Sequence, residues 1–185
     1  MEKGNYMKPK MLINLQGYGG SGKTTILKEL LKLLLNDPQM DMFETGTNEK
    51  VPQPVIDTNA QNFPYQKDDE VITVITMKTQ IKDIKIGIAT AGDIEDFVAF
   101  NMDFFMQHKC DIMICPTKLY GKTTNYILNL VQQNQDWVFL PFVTNWIEDE
   151  QTAKRHKNRL AEEIYATLKS RWNTITNQAF NIRLN

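Results

Sequence analysis

The sequence predicts an α/β domain built on a mostly parallel sheet with one antiparallel hairpin and helices on both faces. Short apolar runs rich in Ile, Val and Leu read as buried strands, and they alternate with longer segments whose apolar residues recur at helical spacing. Two of the strand-like runs, 71–77 and 84–89, lie too close together to be parallel neighbours, since a parallel crossover needs about a dozen residues. A length of 185 residues suits one domain, 1–185, with a full core.

Composition narrows the classes of partner. The formal net charge of −1 gives no global electrostatic case for nucleic acid or an anionic membrane. Charge is uneven along the chain: Arg155, Arg159, Arg171 and Arg183 are its only arginines. The polar start, Met1 to Lys10, lacks the apolar core of a signal peptide. The most apolar helical stretch is interrupted by Lys28, Glu29 and Lys32, so no membrane span is expected. The chain reads as cytoplasmic. Cys110 and Cys115 are the only cysteines, too few for a zinc site without a nearby His pair, and Cys115 reads as a small buried thiol.

In chain order, Met11, Leu12, Ile13 and Leu15 form the first strand, and Ile26 to Leu35 a helix stopped by Asn36-Asp37-Pro38. Between them lies Gly17-Tyr18-Gly19-Gly20-Ser21-Gly22-Lys23-Thr24-Thr25, which fits the phosphate-binding spacing G-x-x-x-x-G-K-[ST] at every fixed position. The glycines let successive N–H groups turn onto phosphate oxygens, and the helix start adds unpaired donors. Lys23 would reach the β- and γ-phosphates, Thr24 would take a position on Mg²⁺, and Thr25 would serve the α-phosphate.

From about 36 to 70 the pattern dissolves into an irregular insertion with four prolines, a short strand at Val55-Ile56 and a loop carboxylate, Asp57. The hairpin follows: Val71 to Met77, a turn at 79–83, then Ile84, Ile86 and Ile88 alternating with Lys85, Gly87 and Ala89. Its second strand runs into Thr90-Ala91-Gly92-Asp93. Asp93 fits two roles, the metal-side or water-orienting acid of a phosphate site and the N-cap of the next helix. That helix carries Ile94, Phe97, Val98, Asn101, Phe104, Phe105 and His108 on one face, with His108 as a helix-end residue.

Asp111 to Cys115 reads as a strand stopped by Pro116. Gly121-Lys122-Thr123-Thr124 then echoes the first motif, but Pro116 stands where its leading glycine would be needed. It opens a helix, Thr123 to Gln133, burying Ile127, Leu130 and Val131. Lys118 and Lys122, past a strand end, are further phosphate-contact candidates. Trp137 to Val143 is a strand whose Pro141 points to a sheet edge or a strand end. The last helix, Asp149 to Trp172, buries Ala153, Leu160, Ile164, Leu168 and Trp172 and places Arg155 and Arg159 together at i and i+4.

These residues resemble the P-loop NTPase superfamily over most of the chain, which implies its three-layer fold. The loop Tyr18-Gly19-Gly20-Ser21-Gly22-Lys23-Thr24-Thr25 is similar to the K-G-G-x-G-K-T-T loop of the ParA/MinD-type ATPases, with Tyr18 in place of the signature lysine. The run 110–117 resembles that group's penultimate core strand, and Asn145 stands where the group uses an asparagine near adenine. No Asn-Lys-x-Asp guanine motif appears, so ATP is expected over GTP.

The resemblance implies a Mg²⁺-dependent ATPase that works as a regulatory switch with a protein partner or a second copy of itself. Lys23 and Thr24 would hold the phosphates, Asp93 would orient water or metal, and Arg155 or Arg159 would supply transition-state charge. A phosphotransferase whose acceptor is held by the 36–70 insertion is the alternative, although the segment between Cys115 and Trp137 has no arginine to clamp a transferred phosphoryl group. A nucleotide-binding module without turnover is the third.

Overall fold

This computed structural model describes residues 10–37, 70–77 and 83–183, with side chains described to residue 171, and five strands and four helices lie among them. In order they are β1 (Met11–Gly17), α1 (Lys23–Leu35), β2 (Ile72–Met77), β3 (Ile84–Ala89), α2 (Glu95–Gln107), β4 (Ile112–Thr117), α3 (Lys122–Gln133), β5 (Val138–Thr144) and α4 (Glu150–Arg183). The expected irregular stretch at 36–70, apart from residues 36, 37 and 70, lies outside the described residues. So do Val55-Ile56, Asp57 and most of the turn at 79–83.

The strands form one sheet in the order β2-β3-β4-β1-β5, parallel except for the β2–β3 pair. β1 is an interior strand, with neighbours on both edges and helices on both faces, which is why Met11, Leu12 and Ile13 are apolar in succession. Its alternation divides the core. Met11, Ile13 and Leu15 pack with α1 and α4, whereas Leu12 packs with α2 and α3. The two halves hold the sheet as the middle of three layers. Truncating a fully buried residue such as Leu27 to Ala would cost about 2–5 kcal/mol.

Several boundaries differ from the sequence reading, each for a local reason. Pro116 does not stop its strand: β4 runs on to Thr117 against β1, because the β3 ladder has already ended at Ile114 and a residue without an N–H is tolerated there. α4 continues to Arg183 rather than ending at Trp172, since neither Gly nor Pro interrupts it. Its start is capped by Asp149, whose Oδ1 accepts the Thr152 N–H at 2.7 Å; bonds from Thr152 hold that carboxyl below its ordinary value. The buried stripe of α2 is Val98, Asn101, Met102 and Phe105, while Ile94 is left exposed ahead of the helix. Leu130 and Val131 of α3 are half-buried, and Thr123 and Thr124 are buried instead.

Other expectations hold. Pro141 lies on β5, which among the described residues is an edge strand paired only with β1. His108 ends α2, with Nδ1 2.9 Å from the Phe104 carbonyl oxygen. At the far end of α1, the buried Asp37 carboxylate pairs with Lys169 Nζ of α4 at 2.9 Å and accepts the Tyr165 hydroxyl. Among the described residues no helix is long and apolar enough to cross a membrane.

The connections that leave β1 and β4 go to opposite faces. β1 feeds α1, which packs on α4, and β4 feeds α3, which packs beside α2. The chain therefore opens a crevice at the C-terminal ends of these neighbouring strands, where α/β sheets hold ligands.

Candidate functional site

Residues 18–22 bridge β1 to α1 over that crevice. The bridge is a tight turn, with the Ser21 N–H on the Tyr18 carbonyl at 3.2 Å. Gly22, at φ 86°, is the N-cap of α1; this left-handed geometry disfavours any side chain, and no side-chain oxygen caps the helix. The first-turn donors of α1 are left to whatever occupies the space beyond. That space is a cavity of about 490 Å³, lined on this side by Gly20, Gly22, Lys23, Thr24 and Thr25. Uncapped donors and the positive end of the helix make it suited to an anion.

Lys23 is only 6% exposed. Its Nζ donates to the Gly17 and Tyr18 carbonyls, both at 3.0 Å, and lies 3.2 Å from Asp93 Oδ1. The ammonium is thus folded back onto its own loop and faces a carboxylate from β3's end. Asp93 does not cap α2: the N-cap position belongs to Ile94 and makes no side-chain bond. The turn carrying Asp93 is fixed by Asn101, whose Nδ2 donates to the Ala91 carbonyl at 2.8 Å. It is fixed again by Gly92, where a Cβ would collide with the Pro116 carbonyl of β4.

The opposite wall contains residues the sequence reading did not single out. Thr90 accepts the Thr24 hydroxyl on its carbonyl at 3.5 Å, and its own hydroxyl donates to Glu70 Oε2 at 2.6 Å while accepting the Val71 N–H at 2.7 Å. Glu70, Ile94 and Phe97 line the cavity beyond Asp93. Lys157 reaches in from α4, its stem lying where a Cβ on Gly22 would go. A smaller recess of about 80 Å³ adjoins through Gly20 and Lys157 and is lined by Ser21, Asn145, Trp146 and His156. Its floor is tied by the Thr144 hydroxyl, which donates to the Ser21 carbonyl at 3.1 Å. Ser21 Oγ is buried without a hydrogen-bond partner, an orphaned hydroxyl inside the loop.

The structure therefore brings together Gly20, Ser21, Gly22, Lys23, Thr24, Thr25, Asp93 and Asn145 of the expected set. Gly17 ends β1, and a Cβ there would collide with Ser21 Oγ. Gly19 and Tyr18 are exposed and line neither space; the Tyr18 ring meets Tyr120 edge-on at 5.8 Å. Arg155 and Arg159 are exposed and also line neither, and Arg159 pairs with Glu163 at 3.3 Å. The reason is helical phase. Lys157 sits on the Ala153, Leu160, Ile164 stripe that faces the molecule, and the two arginines sit off it.

Lys118 and Lys122 are exposed. Burial pushes the Cys110 and Cys115 thiols up to about 12, which leaves both protonated and removes them as nucleophiles. No group of three or more His, Cys, Asp or Glu residues able to hold a metal exists among the described residues. Chemically, the site offers a donor-rich loop, two lysines, three threonines and two carboxylates around one cavity. No family model, curated protein or solved structure compared with this chain matches it.

Proposed function

We propose that this chain is a P-loop protein that binds ATP with Mg²⁺ and hydrolyses its γ-phosphate, acting as a switch toward a protein partner or a second copy. The observation that carries the reading is the convergence of Lys23, Thr24 and Asp93 on one cavity at an uncapped helix start. Gly20 and Gly22, which line that cavity without side chains, fit a phosphate chain there. Lys23 trades its loop carbonyls and Asp93 for the β- and γ-phosphates, which releases the Asp93 carboxylate. Thr24 and Asp93 are the residues that would hold Mg²⁺, an ion that needs only one or two protein ligands when phosphates supply others. When bound, the ion neutralises charge on the β- and γ-phosphates. Lys157, rather than Arg155 or Arg159, supplies positive charge from α4. Asn145 beside Gly20 and Ser21 supports an adenine end in the smaller recess. The resemblance to the ParA/MinD-type ATPases agrees with this arrangement, with Tyr18 removed from the phosphate cavity.

A phosphotransferase is the second reading, favoured by the extension of the cavity past Asp93 to Ile94 and Phe97, an apolar wall that hydrolysis alone does not require. Calorimetry with MgATP and MgGTP, followed by phosphate-release assays, tests the first reading. Tighter ATP binding with steady phosphate release is the expected result, and no ATP affinity up to millimolar levels would overturn it. Strong stimulation of ADP release by one small acceptor would select the second reading.

A further inference from the structure

We infer that Glu70 accepts the proton from the water that attacks the γ-phosphorus, an inference that rests on the ATP reading above. Glu70 comes from outside the glycine-rich loop and outside the strand end that carries Asp93. It arrives because β2 is antiparallel: Thr90, just past β3, bonds Val71, just before β2, through its N–H on the Val71 carbonyl at 2.8 Å. The residue preceding Val71 is thereby placed at the same sheet edge as the C-terminal ends of the parallel strands. Its carboxylate lines the 490 Å³ cavity with Lys23, Thr24 and Asp93.

Thr90 couples the two halves of the site. Its carbonyl receives the Thr24 hydroxyl, and its own hydroxyl lies 2.6 Å from Glu70 Oε2 and 3.3 Å from the Val71 carbonyl oxygen, the shorter contact favouring donation to Glu70. The Val71 N–H donates to the same hydroxyl oxygen, which ties Thr90 and Glu70 together at the start of β2. The two cavity carboxylates face different partners. Asp93 faces the Lys23 ammonium, whereas Glu70 receives a neutral hydroxyl. A carboxylate has several acceptor sites, so one hydroxyl bond leaves capacity to take a hydrogen bond from a water in the cavity. The geometry divides the labour: Asp93 serves the cationic groups and Glu70 serves the nucleophile.

In the step, the water oxygen forms a bond to the γ-phosphorus as the bond from that phosphorus to the β–γ bridging oxygen breaks. The electron pair of the broken bond leaves on ADP, and the water proton passes to the Glu70 carboxylate and then to the released phosphate or solvent.

The test is Glu70→Gln in the full chain, an isosteric change that can still accept the Thr90 hydroxyl. Turnover should fall about 100-fold, with MgATP affinity by calorimetry within about twofold of wild type, so that ATP stays bound and intact. Thr90→Val, which removes the tether and leaves the carboxylate, should keep clearly more turnover than Glu70→Gln. Near-wild-type turnover in Glu70→Gln would overturn the assignment. Equal losses in the two variants would overturn it also, since Glu70 would then act only by holding Thr90. Wild-type protein that binds no ATP overturns the ATP reading itself, and this inference with it. Wild-type protein that binds ATP without turnover overturns the hydrolysis reading and this inference and leaves ATP binding standing, whereas full turnover in Glu70→Gln overturns the inference alone.

Discussion

Gly22-Lys23-Thr24-Thr25 opens α1 and Gly121-Lys122-Thr123-Thr124 opens α3, both after a strand's C-terminal end and both with a glycine of positive φ at the N-cap. The same four residues do opposite things. In the first, Lys23 is buried and its ammonium closes the loop onto the Gly17 and Tyr18 carbonyls, leaving Thr24 and Thr25 on a cavity. In the second, Lys122 is exposed and the threonines are buried. Thr123 Oγ1 accepts the Lys118 N–H at 3.1 Å, and the Thr124 hydroxyl donates to the Lys118 carbonyl. The loop before α1 is residues 18–22, and the loop before α3 is 118–121, one residue shorter. The shorter loop is closed by hydroxyls, which consumes the groups that a ligand would need. A helix start with glycine, lysine and threonine is therefore not a site unless the preceding loop stands off from it.

Breaking each lysine separates the two junctions most sharply. Lys23→Ala should weaken MgATP binding and lower turnover by about 100-fold, whereas Lys122→Ala should change both by less than about twofold. Comparable losses in calorimetry and phosphate release would mean that the second junction also touches nucleotide. Asp93→Asn comes next, with turnover reduced by about 10- to 100-fold in phosphate-release assays and folding stability little changed, since Asp93 is 58% exposed. Unchanged turnover would remove Asp93 from the chemistry.

The threonines should divide in the reverse sense. Thr124→Val leaves the Lys118 carbonyl without its buried donor and should cost about 1–3 kcal/mol in urea denaturation while sparing turnover. Thr24→Val should leave stability within about 0.5 kcal/mol but reduce the Mg²⁺ dependence of ATP binding. The glycines give the smallest contrast. Gly121→Ala meets open space and should cost only backbone strain of about 1–3 kcal/mol. Gly22→Ala adds a collision with Lys157 and should lower turnover as well as the thermal midpoint. A Gly22→Ala protein with full turnover would argue that Lys157 is a bystander.

Much of this was readable in the chain because local rules and tertiary packing agree. The strand–loop–helix around Gly17–Thr25, the β2–β3 hairpin and the edge position of Pro141 follow from spacing and backbone chemistry alone. The rest depended on relations that no window contains. Glu70 reaches the cavity only because an antiparallel strand brings its beginning to the edge where parallel strands end, a consequence of the hairpin that is legible once the hairpin is drawn. Lys157 was hidden by the two arginines around it. Charge type drew notice to Arg155 and Arg159, while position on the apolar stripe between Ala153 and Leu160 decides which side chain turns inward. Pro116 misled because its effect depends on whether a neighbouring ladder still needs its N–H.

The pairing of α4 with α1 has a mechanical consequence. Lys157 of α4 lies against Gly22 at the start of α1, and Lys169 of α4 pairs with Asp37 just past its end, points about 18 Å apart along α4. A rigid helix that meets α1 at both points carries a displacement from one to the other. On the ATP reading, a shift of Lys157 on nucleotide binding would be delivered to Asp37, which α4 holds through both Lys169 and the Tyr165 hydroxyl, and Lys169→Met combined with Tyr165→Phe should uncouple the two. Hydrogen exchange over 30–37 with and without MgATP reads that transmission: a nucleotide effect in the wild type that survives in the double variant would show that α4 does not carry it.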